Sequence, residues 1–340
     1  MNSPHQTLPI AVSMGEPAGI GGEILLKAWL QRDIRAVPPF FTIDDPERLI
    51  ALNARLGLNV PVHVIGTPAE TATTFERALP VLSIGARVKA EPGLPHETDA
   101  FLVLESIRRA VEFCQKGLAS ALTTNPINKA LLYQVGFTHP GHTEFVAELC
   151  GGRTPVMMLA VPDLRVVPVT IHQSLASVPE SLTAEKLRQV CEITHDALRQ
   201  DFGIARPRIA VAGLNPHAGE RGKLGTEDEQ TIAPVVQELA DSGMAITGPL
   251  PADTMFHAGA RQSYDVAICM YHDQALIPVK TIDFDNGVNA TLGLPIIRTS
   301  PDHGTAFDIA GTGRAKPDSL IAALKMAGDM AASRQDAASA

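Results

Sequence analysis

Short apolar segments alternate with longer amphipathic segments along the whole chain. The apolar residues 8–12 predict a strand, which a glycine-rich loop and a helix over residues 24–30 follow. Residues 100–116 repeat apolar positions at helical spacing, and residues 119–122 come next as a short buried strand. This alternation is typical of βαβ units around a largely parallel sheet.

The second half of the chain continues the pattern and adds one hairpin. Residues 156–161 and 165–169 read as neighbouring strands, with Pro162 and Asp163 at the turn between them. No internal repeat or low-complexity linker separates the halves, so we expect two α/β domains between which the chain crosses and returns. The remaining predicted elements are helices at 182–198, 227–239 and 317–330 and strands at 208–211 and 266–270.

Composition supports a globular protein and excludes some partners. The 340 residues are 45% apolar and 19% charged, which suits two domains, and the net charge of −9 disfavours a nucleic-acid partner. No apolar stretch is long enough for a membrane helix, and the N-terminus lacks the basic and apolar regions of a signal peptide. Cys114, Cys191 and Cys269 lie in apolar or helical contexts without metal-type spacing, which predicts buried free thiols and a cytoplasmic location.

Polar residues cluster where the predicted strands end. The sequences TTNP, TIHQS, GLNPHAGE and MYHDQ each follow an apolar strand, and the last three contain His172, His217 and His272. Because the carboxyl ends of parallel strands meet at one edge of a sheet, we expect these histidines to come from three strands of that edge.

Three imidazoles can hold a divalent metal and leave positions open for substrate oxygens. Any single histidine at a strand end can instead be a loop cap, but all three have neighbours able to orient a metal-bound ring. We therefore predict that His172, His217 and His272 bind one metal ion. The neighbours are Asn215, Glu220, Asp273 and Gln274.

A second group of residues predicts binding of a phosphate monoester. His142 and Thr143 stand in PGHTEF, and Lys280, Asn289 and Arg298 lie in otherwise apolar, charge-poor sequence. Lysine and arginine on short loops near strand ends suit a phosphate group, although a solvated surface role is their commoner use. The loop GEPAGIGGE fits neither dinucleotide nor P-loop patterns, so tight-turn chemistry and ligand binding both stay open for it.

The segment DHGTAFDIAGTGRAKPDS, residues 302–319, resembles the loop that holds the adenosine part of NAD in the β-decarboxylating dehydrogenases. Isocitrate and isopropylmalate dehydrogenases belong to that family and bind NAD without a Rossmann fold. The resemblance implies NAD or NADP as cofactor. It assigns cofactor contacts to His303, Gly304, Thr305, Asp308 and Ile309.

Taken together, GEPAGIG, TTNPINK, PGHTEF, GLNPHAGE, GPLPADT, YHDQ, GVNATLGLPIIRTS and DHGTAFDIAG resemble the 4-hydroxythreonine-4-phosphate dehydrogenase family of pyridoxal phosphate biosynthesis. The motifs stand in the family's order over residues 8–330. The resemblance implies that the three strand-end histidines bind zinc, magnesium or cobalt. It also places the substrate, a small phosphorylated amino acid, on His142, Thr143, Lys280, Asn289 and Arg298.

The resemblance also implies an architecture. We expect two α/β/α domains of the isocitrate and isopropylmalate dehydrogenase type with a cleft between them. One domain comprises residues 1–125 and 290–340 on the nucleotide side, and the other comprises residues 126–289 with the metal site. The family forms homodimers with active sites near the interface.

The implied reaction is NAD-dependent oxidation of 4-phosphooxy-L-threonine at C3, and the resulting 2-amino-3-oxo-4-phosphooxybutanoate decarboxylates to 3-amino-2-oxopropyl phosphate. Asp253, in GPLPADT, is the candidate base, although an aspartate capping a loop before Thr254 is an equal reading. Three alternatives stay open: a 4-phosphothreonate dehydrogenase of a sister family, a phosphate acyltransferase on the same fold, and a non-catalytic phosphoester-binding protein.

Overall fold

The computed structural model describes residues 8–339 of the chain, with burial described for residues 8–337. The predicted absence of a signal peptide rests on residues 1–12, of which residues 1–7 lie outside this range. The chain divides into two compact units, Met1–Pro155 with Leu294–Ala332 and Val156–Gly293 with Ser333–Ala340. Among residues 8–339, no helix is both long enough and apolar enough to cross a membrane.

The first unit is built on parallel strands in the order β3-β4-β2-β1-β5-β12. Every residue of β1, β2 and β5 is buried, so both faces of this sheet are covered, as the α/β prediction requires. The strands are β1 (Ile10–Ser13), β2 (Phe40–Asp44), β3 (Val62–Ile65), β4 (Leu79–Ser83), β5 (Ala121–Thr124) and β12 (Arg298–Pro301).

The helices of the first unit follow the strands in the predicted alternation. α5 shows the period most clearly, because its buried Val103, Ile107 and Val111 face one apolar cluster. The helices are α1 (Gly21–Leu30), α2 (Arg32–Arg35), α3 (Pro46–Leu56), α4 (Thr71–Thr74), α5 (Ala100–Gln115), α6 (Lys129–Gln134) and α7 (His142–Leu149), and the last helix of the chain is α13 (Asp318–Ser339).

The second unit contains a mixed sheet in the order β11-β6-β7-β10-β8-β9. β6 and β7 pair antiparallel, which confirms the predicted hairpin. β10 is parallel to β7 and to β8, and β9 is parallel to β8. The strands are β6 (Val156–Val161), β7 (Leu164–Thr170), β8 (Arg208–Ala212), β9 (Ala245–Leu250), β10 (Val266–Tyr271) and β11 (Val288–Leu292).

α12 packs on this sheet through Ala275, Leu276 and Val279 and fills the apolar cluster of the second unit. The predicted helix over 227–239 begins instead as a π-helical segment, Asp228–Ile232, before α10. The helices are α8 (Val178–Ser181), α9 (Ala184–Gln200), α10 (Ala233–Asp241), α11 (Ala258–Arg261) and α12 (His272–Ile282).

The boundary between the units differs from the predicted one at residues 126–155. This segment lies in the first unit because α6 and α7 pack against α5. Phe137, Phe145 and Val146 of the segment are buried in the same apolar cluster as α5. The strand-end motif at residue 125 therefore does not end a domain.

The cysteines match the prediction of free thiols. Cys191 and Cys269 are buried and Cys114 is half-buried, and each is a free thiol. Burial raises the pKa of Cys114 and Cys191 to about 12, so both are protonated and unreactive at neutral pH.

Candidate active site

Two of the three predicted metal ligands lie side by side in the second unit. β10 and β7 are parallel neighbours, with Tyr271 in register with Thr170 at their carboxyl ends. His272 follows the first of these strands and His172 the second, so the imidazole ring centroids lie 5.9 Å apart. The sheet register alone thus brings together two residues that are far apart in the sequence.

Hydrogen bonds fix the backbone under these rings. The Gln274 side-chain oxygen accepts from the Met270 amide at 2.6 Å, and its amide group donates to the Gly213 carbonyl at 2.8 Å. The Thr170 hydroxyl donates to the Met270 carbonyl at 2.7 Å. The ends of β7, β8 and β10 are therefore tied together, and the partners of Gln274 in these bonds are backbone groups.

The side chain of His272 has a carboxylate partner. Its Nδ1 atom lies 2.7 Å from Asp273 Oδ1. Such a contact fixes the ring orientation and leaves the other ring nitrogen available for a ligand.

A cavity of about 460 Å³ opens beside the two histidines. Both polar side chains and the apolar side chains that follow β7 line its walls. The lining residues include Gln173, Ser174, Leu175, Tyr271 and Asp273 as well as His172 and His272. A small polar substrate fits a cavity of this size and character.

His217 is not part of this cavity wall. It begins a run of six residues with positive φ, residues 217–222, of which His217 has φ 53° and Glu220 has φ 43°. Left-handed backbone at non-glycine residues is strained and collects at functional sites. Within residues 8–339, however, no three His, Cys, Asp or Glu side chains are grouped closely enough to hold a metal. The three-histidine site thus stays a prediction, with two members adjacent.

A buried carboxylate holds the strand end before His217. Asp228, 1% exposed, accepts from the Leu214 amide at 2.8 Å and from the Asn215 amide at 3.2 Å. The Asn215 side-chain amide donates to Asp228 at 2.9 Å and to Glu227 at 2.8 Å. The sequence assigned no role to Asp228, because its partners precede it by more than a helical turn.

Asp253, the candidate base, lies in a short 3-10 turn with an exposed side chain. The turn packs against the turn that contains His217. The carboxylate is therefore open to solvent and near one predicted metal ligand.

In the first unit, the buried Arg298 guanidinium and the uncharged ring of His142 form a polar group around one positive charge. Arg298 opens β12, is 2% exposed and donates from Nη2 to the Thr124 hydroxyl at 2.7 Å. Burial lowers the pKa of Arg298 to about 10, and the charge of Glu144 opposes this shift. The guanidinium is thus charged at neutral pH in a place where charge is costly unless it is paired.

His142, the first residue of α7, adds a ring nitrogen to this group. Burial lowers the pKa of His142 well below its usual value, and the positive charges of Arg298 and Lys129 lower it further. Within the described part of the chain, its buried Nε2 atom has no hydrogen-bond partner. A neutral imidazole with an unsatisfied nitrogen suits contact with a ligand, and Thr143 follows it on the same helix turn.

The other two predicted substrate contacts, Lys280 and Asn289, lie in the second unit. Lys280 stands in the last turn of α12, with its Nζ atom 5.2 Å from the centre of the Phe284 ring. Asn289 is on β11, and its buried Oδ1 atom lacks a hydrogen-bond partner among residues 8–339. The predicted contacts are therefore divided between the two units.

The predicted cofactor residues follow β12 in the first unit. His303 Nδ1 lies 3.1 Å from the Gly304 carbonyl oxygen, and Asp308 and Ile309 stand in a 3-10 turn, Phe307–Ile309. Thr305 accepts a backbone hydrogen bond from Ile20 at 3.0 Å. The glycine-rich loop near the N-terminus therefore contacts this segment.

Two further polar residues were part of a quoted motif but had no assigned role. Thr124 holds Arg298, and Asn125, 1% exposed, donates from its side chain to the Ser13 carbonyl at 3.1 Å. Gly15, with φ 69°, permits this packing, because a Cβ atom there would lie 2.6 Å from Asn125 Cβ. The signal was present in TTNP, since threonine and asparagine at a strand end are typical of site residues.

Comparison with known proteins decides the family. Residues 38–327 match the family model described as pyridoxal phosphate biosynthetic protein PdxA. The chain belongs to the PdxA family. The earlier resemblance to the 4-hydroxythreonine-4-phosphate dehydrogenase family is thereby confirmed.

Curated relatives of the family match over nearly the whole chain. The chain is 56% identical to the 4-hydroxythreonine-4-phosphate dehydrogenase of Methylorubrum extorquens over 94% of this chain and 93% of that relative. It is 54% identical to the 4-hydroxythreonine-4-phosphate dehydrogenase of Bradyrhizobium diazoefficiens, over 97% of this chain and 99% of that relative. The names of these PdxA relatives place the chain among oxidoreductases.

Solved structures agree with the fold. The crystal structure of 4-hydroxythreonine-4-phosphate dehydrogenase from Klebsiella pneumoniae has a TM-score of 0.85 at 36% identity, covering 96% of this chain and all of that chain. A terephthalate 1,2-cis-dihydrodiol dehydrogenase from Burkholderia xenovorans has a TM-score of 0.66 at 28% identity, covering 95% of this chain and 98% of that chain. A branched-chain phosphotransacylase from Enterococcus faecalis shares the fold alone, with a TM-score of 0.55 at 13% identity. The match covers 95% of this chain and 99% of that chain.

Proposed function

We propose that the chain catalyses the NAD-dependent oxidation of 4-phosphooxy-L-threonine, also called 4-hydroxythreonine 4-phosphate. The observation that carries the proposal is the 56% identity, over 94% of the chain, to a relative named for this substrate. Arg298 and His142 support it, because the buried guanidinium offers a positive charge and the neutral imidazole a hydrogen bond to a phosphate ester.

The proposed reaction balances in two steps. Hydride leaves C3 for the nicotinamide ring, the C3 hydroxyl loses its proton to a base, and the ketone 2-amino-3-oxo-4-phosphooxybutanoate forms. This β-keto acid then loses its carboxyl group as carbon dioxide and gains a proton, which gives 3-amino-2-oxopropyl phosphate. The phosphate at C4 takes no part in the chemistry and supplies binding energy that positions C3.

In this proposal, the first unit binds the phosphate through Arg298, His142 and Thr143. The guanidinium offers several donors in a plane, and the Thr124 hydroxyl at 2.7 Å fixes its orientation before the substrate arrives. The low pKa of His142 keeps its ring neutral at pH 7, so it contributes a hydrogen bond without a further charge. Lys280 and Asn289 are the substrate contacts that we assign to the second unit.

A divalent metal fits the second unit in part. His172 and His272 offer two adjacent imidazoles, and Asp273 orients one of them, while His217 is the third ligand that we assign. A bound metal would lower the pKa of a coordinated hydroxyl group. Imidazole ligands favour zinc or cobalt over magnesium.

Asp253 is the base that we propose for the hydroxyl proton. Its carboxylate is exposed and its turn packs beside that of His217, so it can exchange protons with water. NAD or NADP would bind to His303, Gly304, Thr305, Asp308 and Ile309, which resemble the adenosine loop of the β-decarboxylating dehydrogenases.

A comparison of substrates tests the proposal. Purified protein is mixed with NAD, a divalent metal and one substrate, and NADH fluorescence is followed. The substrates are 4-phosphooxy-L-threonine, 4-phosphothreonate and, for the acyltransferase alternative, an acyl phosphate together with an acyl acceptor. We expect NADH from 4-phosphooxy-L-threonine at the highest kcat/KM. A higher kcat/KM with 4-phosphothreonate would assign the chain to the sister activity, and no NADH with either would exclude dehydrogenase function.

A further inference from the structure

The glycine-rich segment 15–23 contacts the segment 303–315, which we call the nucleotide segment. The Ile20 amide donates to the Thr305 carbonyl at 3.0 Å. Gly19 lies against the same oxygen, and a Cβ atom there would come within 2.9 Å of it. A side chain at position 19 would therefore push the nucleotide segment away.

Glu23 binds the far end of the nucleotide segment with both carboxylate oxygens. Its side chain is fully buried at 0% exposure. Oε2 accepts from the Gly311 amide at 3.1 Å, and Oε1 accepts from the Ala315 amide at 3.0 Å. One carboxylate thus fixes two backbone amides of the segment.

Lys27, one helical turn later, completes the contact. Its Nζ atom lies 2.8 Å from Glu23 Oε1 and donates to the Gly313 and Ala315 carbonyls, each at 2.7 Å. The pair therefore holds both amides and carbonyls of the segment, which determines the direction of its backbone.

Two contacts from other elements support the same region. The Arg55 side chain donates from Nε to the Gly311 carbonyl at 3.2 Å. The Gly93 amide donates to the Ala18 carbonyl at 2.8 Å, and a Cβ atom on Gly93 would lie 3.2 Å from the Phe307 carbonyl oxygen. The backbone of the nucleotide segment is thus held at several points, and the Glu23 carboxylate among them is fully buried.

Burying a charged pair of this kind gains little net stability, since apolar residues of similar size often stabilise a core as well or better. What the pair adds is a defined backbone conformation. We propose that Glu23 and Lys27 are positioning residues for dinucleotide binding, which hold residues 311–315 in the shape that receives the adenosine part of NAD. The inference rests on the proposed function, in which the nucleotide segment binds the cofactor.

The test is Glu23→Gln, which keeps the side-chain size and replaces one acceptor oxygen with an amide nitrogen. Calorimetry measures the Kd of NAD and, separately, that of 4-phosphooxy-L-threonine. We expect the Kd of NAD to rise roughly ten- to hundredfold, since a hydrogen bond to a charged group is lost. The KM for NAD rises with it, while kcat at saturating NAD and the Kd of the phosphorylated substrate change by less than about twofold.

Lys27→Met is the second variant, with the same expected direction, and it carries the test if Glu23→Gln does not fold. Asp201→Asn is the matched control, because Asp201 is also a buried carboxylate with a basic partner, Arg334, but lies in the second unit. Hydrogen exchange provides a readout without cofactor. The amides of Gly311 and Ala315 should exchange faster in Glu23→Gln than in the wild type. In Asp201→Asn they should exchange at the wild-type rate.

The outcomes separate this inference from the proposed function. A wild-type protein that binds no NAD overturns both. A wild type that binds NAD, with variants that bind it equally well, overturns the inference alone. Parallel losses of NAD and substrate affinity, or a loss of NAD affinity in Asp201→Asn as large as in Glu23→Gln, would show a general loss of structure and would also overturn it.

Discussion

Arg298 is a charged residue that the fold buries to 2% exposure, and its neighbourhood explains why the sequence context pointed to it. An arginine in an apolar, charge-poor segment has either a buried partner or a ligand. Its guanidinium donates to the Thr124 hydroxyl, and its charge lowers the pKa of His142.

Replacing Arg298 with alanine should discriminate between substrates that differ only in the phosphate. We expect Arg298→Ala to lower kcat/KM for 4-phosphooxy-L-threonine roughly ten- to hundredfold, because a charge-assisted contact contributes about 1.5–3 kcal/mol. The dephosphorylated substrate should lose little, since it offers the guanidinium nothing to bind. Steady-state kinetics of both substrates on both proteins form a double-mutant cycle.

Thr124→Val is the control for that cycle, because it removes the hydroxyl partner and keeps the charge. It should lower kcat/KM for both substrates by similar factors, which are smaller than the factor expected for Arg298→Ala with the phosphorylated substrate. If Arg298→Ala lowers kcat/KM equally for both substrates and also lowers the melting temperature, Arg298 braces the loop and does not bind the phosphate.

His142 gives the folded protein a predictable response to pH. Because burial and nearby cations hold its pKa well below 6.5, the unfolded chain takes up a proton that the folded chain does not. The stability contributed by this depressed pKa is present above the ordinary imidazole pKa and is lost as pH falls below it. Urea unfolding from about pH 7 to about pH 5 should therefore show a steeper loss of stability in the wild type than in His142→Asn. Parallel pH profiles for the two proteins would show that the histidine titrates normally.

The metal ligands can be separated one residue at a time. We expect alanine variants of His172, His217 and His272 each to lose stoichiometric metal, measured by elemental analysis after dialysis. His195→Ala is a matched control, because His195 lies on α9 with its ring beside the carboxylate of Asp196 and outside the proposed metal site. Because His217 stands apart from the other two, full metal retention in His217→Ala would reduce the predicted trio to a pair.

Elements were easier to predict than the turns between them. The apolar period placed α5 and β10 to within one residue, since burial repeats along a helix or strand. The backbone of the His217 turn could not be read in the same way, because a run of left-handed, mostly non-glycine residues has no local sequence signature. The hydrogen bonds of Asp228 depend likewise on the fold around β8.

Asp228 should be essential for the turn that follows β8. In Asp228→Asn, the side-chain amide nitrogen cannot accept, so the half-buried backbone amide of Leu214 or of Asn215 loses its partner. We expect a loss of about 1–3 kcal/mol in the free energy of unfolding, measured in urea, together with reduced metal content. Glu227→Gln is the control, because Glu227 contacts the same Asn215 side chain from a more exposed position and should cost little. Equal effects of the two substitutions would contradict the special role of Asp228.

For the whole molecule, the alternation of strands and helices was enough to predict the α/β class, which the structure and the PdxA relatives confirm. The position of the first domain boundary was not predictable in that way. Residues 126–155 carry apolar side chains whose partners, on α5, precede them in the chain, and only the packed structure shows that contact. Similarly, the sequence grouped five substrate contacts that the structure assigns to two units.

The resemblance to the family implies a homodimer, and we expect the chain to assemble as one. Light scattering after gel filtration at micromolar concentration should give twice the 36.1 kDa mass of the chain. Adding the proposed substrate and NAD should leave that mass unchanged, because the assembly is expected to be independent of turnover. A mass equal to one chain would contradict the dimer.

The central claim, oxidation at C3 followed by decarboxylation, is tested most directly with 4-phosphooxy-L-threonine labelled at the carboxyl carbon. NADH and labelled carbon dioxide are measured in the same reaction, with Arg298→Ala as a low-activity comparison. The account predicts that the wild type forms the two in equal amounts, with 3-amino-2-oxopropyl phosphate as the remaining product. Labelled carbon dioxide without NADH, or no turnover of this substrate with NAD or NADP and a divalent metal, would contradict it.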